Sequence, residues 1–154
     1  MGMRPTCLGL LGIVLLLAGG CAAKKDPLIG TWNGTSQFKA GGFDLSLEFA
    51  HTFNEDKTFS TTGRIVQPEV GFTLAGTYAV EGERLTITPN PTTLKTENKA
   101  GLPAFLFNEG KKALEKELGK VYSGKVEWKS DTSMVFTPEG APSMSLTKQA
   151  PSGA

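Results

Sequence analysis

The chain offers little that could make or break covalent bonds. His51 is its only histidine, which removes metal sites built from paired histidines. It stands at alternate positions with Phe49 and Phe53 in an apolar run. There an imidazole can hydrogen-bond the polar head of a ligand, or be satisfied by a neighbour or water. Asn54, Glu55 and Asp56 cluster oxygens, but between two strands they read as the turn of a tight hairpin. Asp44 and Glu48 alternate with apolar residues and fall on the solvated face. No Gly-x-Ser-x-Gly elbow, phosphate loop or calcium loop occurs. With no nucleophile–base pair to name, the expectation is a non-enzyme without catalytic residues, metal or cofactor.

One further residue carries a reactive group. Of the two cysteines, Cys7 lies in an N-terminal apolar run (residues 7–18) preceded by Arg4, and Cys21 follows Gly19-Gly20. A basic start, an apolar stretch and small residues before a break mark a secretory signal peptide over residues 1–20. About a dozen apolar residues at ~1.5 Å each are too short to span a bilayer comfortably. Leu17-Ala18-Gly19-Gly20-Cys21 resembles the bacterial lipobox, which implies that Cys21 is lipidated through its thiol and becomes the mature N-terminus. Ala22 after the cysteine resembles the class sorted to the outer membrane. Acyl chains, palmitate among them, at ~0.8 kcal/mol per buried methylene would hold the domain at a membrane of the bacterial envelope. The folded part is then left without a thiol, so neither a disulfide framework nor a cysteine-built metal site is expected. Loss of Arg4 with the leader makes the sixteen basic residues fifteen, equal to the fifteen acidic ones. That balance argues against a nucleic-acid partner.

The elements that must position these groups are strands. Residues 28–38 place Leu28, Gly30, Trp32, Gly34, Ser36 and Phe38 on one side. A large aromatic between two glycines suits the closed end of a small barrel, where glycines admit a neighbouring strand and the indole fills the remaining space. Residues 43–53 alternate most cleanly, with Phe43, Leu45, Leu47, Phe49, His51 and Phe53 inward. Residues 58–66 put Phe59, Thr61, Gly63 and Ile65 on one face. Residues 72–80 direct Phe72, Leu74, Gly76, Tyr78 and Val80 inward, and residues 84–89 Leu85 and Ile87. Residues 90–100 are polar with Pro89 and Pro91 early, and read as a loop. A helix follows, starting at Pro103 or only after Asn108. Ala113, Leu114 and Leu118 give it a narrow apolar stripe, Gly110 weakens its middle and Gly119 is a plausible stop. Strands resume at 121–129, 132–137 and 143–148, bringing Trp128 and Phe136 to the inward set. Eight strands at this spacing, mostly joined by short turns, predict an all-β fold: an up-and-down antiparallel barrel with one helix inserted between strands 5 and 6. Its domain spans residues 28–148, behind a lipidated tether at 21–27 and ahead of a loose tail at 149–154.

Gly30-Thr31-Trp32 resembles the Gly-x-Trp signature of the first strand in lipocalins and fatty-acid-binding proteins. Lys148 ends the last strand on the face of Met144 and Leu146, much like the basic side chain that packs over that tryptophan in lipocalins. The stretch 76–87, GTYAVEGERLTI, is similar to a hairpin of bacterial lipocalin-like domains, mostly of unknown function. The resemblance implies a calycin-type barrel in which Gly30, Trp32 and Lys148 are structural. The helix lies elsewhere than in lipocalins, where it follows strand eight, or in fatty-acid-binding proteins, where it follows strand one.

These residues point to a membrane-anchored carrier of a small hydrophobic ligand. Its candidate binding residues are Trp32, Phe43, Leu45, Leu47, Phe49, His51, Phe59, Phe72, Leu74, Tyr78 and Trp128. The same side chains serve equally well as a packed core, because an eight-stranded barrel is wide enough for either outcome. A filled core would favour the alternative, a protein-interaction or structural module of the envelope. The apolar stretch 102–107 fits a lid over the mouth, a membrane-facing contact, or a helix start buried on the barrel.

Overall fold

The computed structural model describes residues 26–40, 42–67 and 69–150, with the side chains of Ala40 and Phe43 left undescribed. The leader, Cys21, most of the tether and the end of the tail lie outside the described residues. Eight strands form a closed antiparallel barrel: β1 (Gly30–Ala40), β2 (Phe43–Phe53), β3 (Thr58–Ile65), β4 (Val70–Glu81), β5 (Arg84–Asn98), β6 (Tyr122–Ser130), β7 (Ser133–Pro138) and β8 (Met144–Lys148). Helix α1 (Ala104–Leu118) lies between β5 and β6. This is the expected architecture. Among the described residues no helix is long and apolar enough to cross a membrane.

Period-two alternation sends one side chain in two toward the axis, where the buried apolar residues form a single cluster. Trp32 plugs one end, the floor, and is 0% exposed. Its indole N–H donates to the Leu28 carbonyl at 2.8 Å. The Lys148 ammonium lies 5.2 Å from the ring centroid and donates to the Pro27 carbonyl at 2.8 Å. Gly30 beside them has φ +124°, and a Cβ there would sit 2.9 Å from Lys148 Cε. The floor thus ties the chain's entry to its last strand through one cation over one indole. The β2–β3 hairpin and the β4–β5 and β6–β7 turns share this end.

Two seams of the barrel are short. Only Trp32, Asn33 and Gly34 of β1 pair with β8, and only residues 84–87 of β5 pair with β6. Beyond Ile87, β5 keeps β4 as its strand partner, and α1 packs alongside. Residues 90–98 are therefore strand rather than loop. Between Thr73↔Lys95 and Ala75↔Asn90 the register slips, so that residues 91–94 bulge out of the ladder. Pro91 falls in that bulge, where its missing N–H breaks no pairing. Thr93 Oγ1 takes over one ladder position by accepting from the Ala75 N–H at 2.9 Å. Proline and polar composition marked the break correctly but hid the strand on either side of it.

Helix α1 runs through Gly110 without interruption, with Pro103 at its N-cap and Gly119 at its C-cap. The proline precedes the first helical residue, and its carbonyl accepts from the Phe107 N–H at 3.1 Å.

Candidate functional site

The barrel is not filled. A cavity of about 520 Å³ runs from its mouth, beside the β1–β2 and β7–β8 turns, down to Phe59 and His51 above the floor. Its apolar wall comes from Leu47, Phe49, Phe59, Phe72, Leu74, Ile87, Phe136 and Leu146, and its rim carries Gln37, Lys39 and Asp44. Asp44, assigned above to the solvated face, pairs with Lys39 there at 3.6 Å.

Space remains among so many aromatics because of the inward glycines. Gly34 stands opposite Phe49, Gly63 opposite Phe72 and Gly76 opposite Phe59 in the strand register. A Cβ on Gly34 would lie 2.9 Å from the Phe49 ring, one on Gly63 2.4 Å from Phe72 Cζ, and one on Gly76 2.7 Å from Phe59 Cε1. Each ring covers the bare backbone of its neighbour and so lies along the wall instead of projecting into the axis. The rings pave the cavity.

At the deep end stands the cavity's polar pair. His51 Nδ1 and Thr61 Oγ1 are 2.5 Å apart, and Thr61 is buried. Phe49 (4.5 Å between centroids), Phe53 (6.0 Å) and Phe59 (6.3 Å) surround the imidazole. Packed into the wall, the ring still shows one side to the cavity. Desolvation by burial pulls its pKa from 6.5 down to about 4, so it is neutral at pH 7.

Helix α1 closes one side of the mouth with its second half. Leu114, fully buried, and Leu118 and Glu117 line the cavity together with Tyr122 at the start of β6. The Tyr122 hydroxyl donates to the Glu117 carbonyl and latches the helix end to the barrel. Burial first, then the nearby Glu117 charge, raises that phenol's pKa and keeps it a donor. Stretch 102–107 contributes nothing to the lining. Leu102 and Phe107 pack against the core from outside, and Phe105 (68% exposed) and Leu106 face solvent.

Of the candidate binding residues, Leu47, Phe49, His51, Phe59, Phe72 and Leu74 line the cavity. The side chain of Phe43 lies outside the described residues. The other four are elsewhere. Trp32 lies below, as the floor. Trp128, also inward by alternation, reaches only the floor's edge: it meets Trp32 edge-on at 5.8 Å and is 40% exposed. Tyr78 is pinned at the floor by donating to the Asn54 carbonyl at 2.7 Å, with Phe53 5.0 Å away and the Lys57 ammonium over its ring. Leu45 packs against the core but stays out of the lining. Val80, last of its inward series, is exposed at the strand's end. Period two assigns a side chain to a face. It does not say how far along the axis that face is hollow.

Among the described residues no group of three or more His, Cys, Asp or Glu gathers to hold a metal ion. No protein-family model matches the chain, and no curated protein matches it.

Proposed function

We propose that this protein is a non-enzymatic, lipocalin-like binding protein that takes up a small hydrophobic molecule in its barrel and is held at the bacterial envelope by lipid on Cys21. The observation that carries the binding reading is the paved cavity of about 520 Å³, apolar along its walls and polar at one deep position. That size and lining suit a single small ligand, which would lose most of its water contact on entry. Incubating the full chain with a lipid extract and recording native mass spectra tests the reading. A stoichiometric adduct is expected, and a chain that emerges empty from every extract defeats it. The anchor is tested separately by palmitate labelling of cells expressing the chain and its Cys21→Ser variant, of which only the first should take up label.

The alternative reading, a protein-interaction module of the envelope, retains one supporting observation: Phe105 and Leu106 lie exposed on the first turn of α1. Aspartate at both positions should abolish partner binding on that reading and leave ligand uptake unchanged on ours.

A further inference from the structure

The ligand's polar group is constrained by how the deep pair shares its protons. Among the described residues the Thr61 hydroxyl has one hydrogen-bond partner, His51 Nδ1. Both residues line the cavity, but Thr61 is only 3% exposed whereas the ring is half-buried. If Nδ1 carried the proton and donated to Thr61, the hydroxyl hydrogen would be the group shut away without an acceptor, which is costly. Thr61 therefore donates and Nδ1 accepts, so the proton of the neutral ring is on Nε2. Among the described residues that nitrogen has no hydrogen-bond partner, yet no buried side-chain nitrogen or oxygen is left unpartnered. It is consequently open to the cavity that His51 lines. The deep end presents one fixed N–H donor, with aromatic rings around it and no cation among its lining residues. The lysine on the lining, Lys39, is at the rim and paired with Asp44.

We infer that the His51–Thr61 pair is the specificity determinant of the cavity, selecting uncharged ligands whose apolar body ends in a carbonyl-type hydrogen-bond acceptor. This rests on the carrier reading above. A ketone, ester or amide oxygen completes the Nε2–H bond without bringing charge into the wall. An alkane leaves that donor unmet, and a carboxylate would be buried there without a counter-ion.

The test displaces the fluorescent probe N-phenyl-1-naphthylamine from the full chain with 2-dodecanone, dodecane or dodecanoate. The ketone should bind about tenfold more tightly than the alkane, the size of one hydrogen bond made against a donor otherwise left bare. Dodecanoate should bind more weakly than the ketone. His51→Phe should erase the ketone preference while keeping dodecane binding, and Thr61→Val, which frees the ring to change tautomer, should reduce it. Because His51 is the only histidine, ¹⁵N-histidine labelling reads its tautomer directly in the unmutated chain. Nδ1 should show as the acceptor, and added ketone should move the Nε2 signal. Equal affinity for ketone and alkane, tighter binding of dodecanoate, an unchanged preference in His51→Phe, or a proton on Nδ1 would each overturn the inference. Failure of every probe, dodecane included, would instead remove the carrier reading beneath it.

Discussion

At the scale of single residues, the molecule turns on a histidine kept neutral and on glycines kept bare. Free imidazole takes a proton near pH 6.5, whereas His51 in the fold resists until about pH 4. Between those values the unfolded chain binds more protons than the folded one, so stability falls as pH drops through the window. A gap of that size is worth about 3 kcal/mol in all. His51→Gln should flatten the pH dependence of the urea midpoint between pH 6.5 and 4, and a wild-type curve no steeper than the variant's would show a solvated ring. Gly34→Ala tests the paving. Its methyl would meet Leu146 Cδ2 at 2.5 Å and the Phe49 ring at 2.9 Å, both flexible side chains. The ring should swing into the cavity at a cost of about 1–3 kcal/mol, with a matching loss of probe affinity. His51's place on the inner face was readable from alternation, since it shares a strand with Phe49 and Phe53. Its bond to Thr61 was not, because strand pairing decides which inward residue of β3 meets it.

At the scale of elements, α1 is the part of the cavity wall held least firmly. One of its residues, Leu114, is fully buried, while each strand has neighbours on two sides. Amide exchange should therefore be faster along α1 than in β1 to β4, and a helix as protected as those strands would exclude it as the moving side of the mouth. Gly110 sits mid-helix with nothing within 4 Å of where a Cβ would go. Gly110→Ala should stabilise the chain by about 0.5–1 kcal/mol, seen as a higher urea midpoint, and should slow release of a bound probe if the helix gates it. The stripe of Leu114 and Leu118 was legible at helical spacing, although what it faced was not. The run 102–107 is apolar in sequence, but much of it stays in water. Burial depends on which part of a helix the barrel's gap admits, and the gap arises where β6 stops pairing with β5 at Ile87.

For the whole molecule, closure is what makes a cavity possible, and closure rests on a short contact. β8 is five residues long and meets β1 through three of them. Leu146, buried at that seam against Gly34, should cost about 2–5 kcal/mol on truncation to alanine, read by denaturant titration. The number and order of strands were legible because all but β5 and β6, which α1 separates, are joined by polar or glycine-containing turns such as 54–57 and 81–83. Whether the tube was hollow was not legible, because composition counts phenylalanines without showing which lie flat on a glycine.

The barrel also has a direction. The described chain enters beside the floor at Asp26, five residues after Cys21, while the mouth lies at the far end of strands such as the eleven-residue β1. At ~3.3 Å per residue and a tilt of 35–45°, that distance is roughly 25–30 Å along the axis. Five extended residues reach only about 17 Å. An acylated Cys21 would thus bar the protein from standing mouth-down on its own bilayer, and favours the closed base against it with the opening turned outward. Cargo would then be exchanged with the aqueous space or a facing surface, not drawn from the leaflet underneath. In vesicles bearing the acylated chain, a fluorophore at Glu55→Cys should be dimmed by bilayer-embedded quenchers and one at Ala141→Cys should not; the reverse pattern would set the opening against the bilayer.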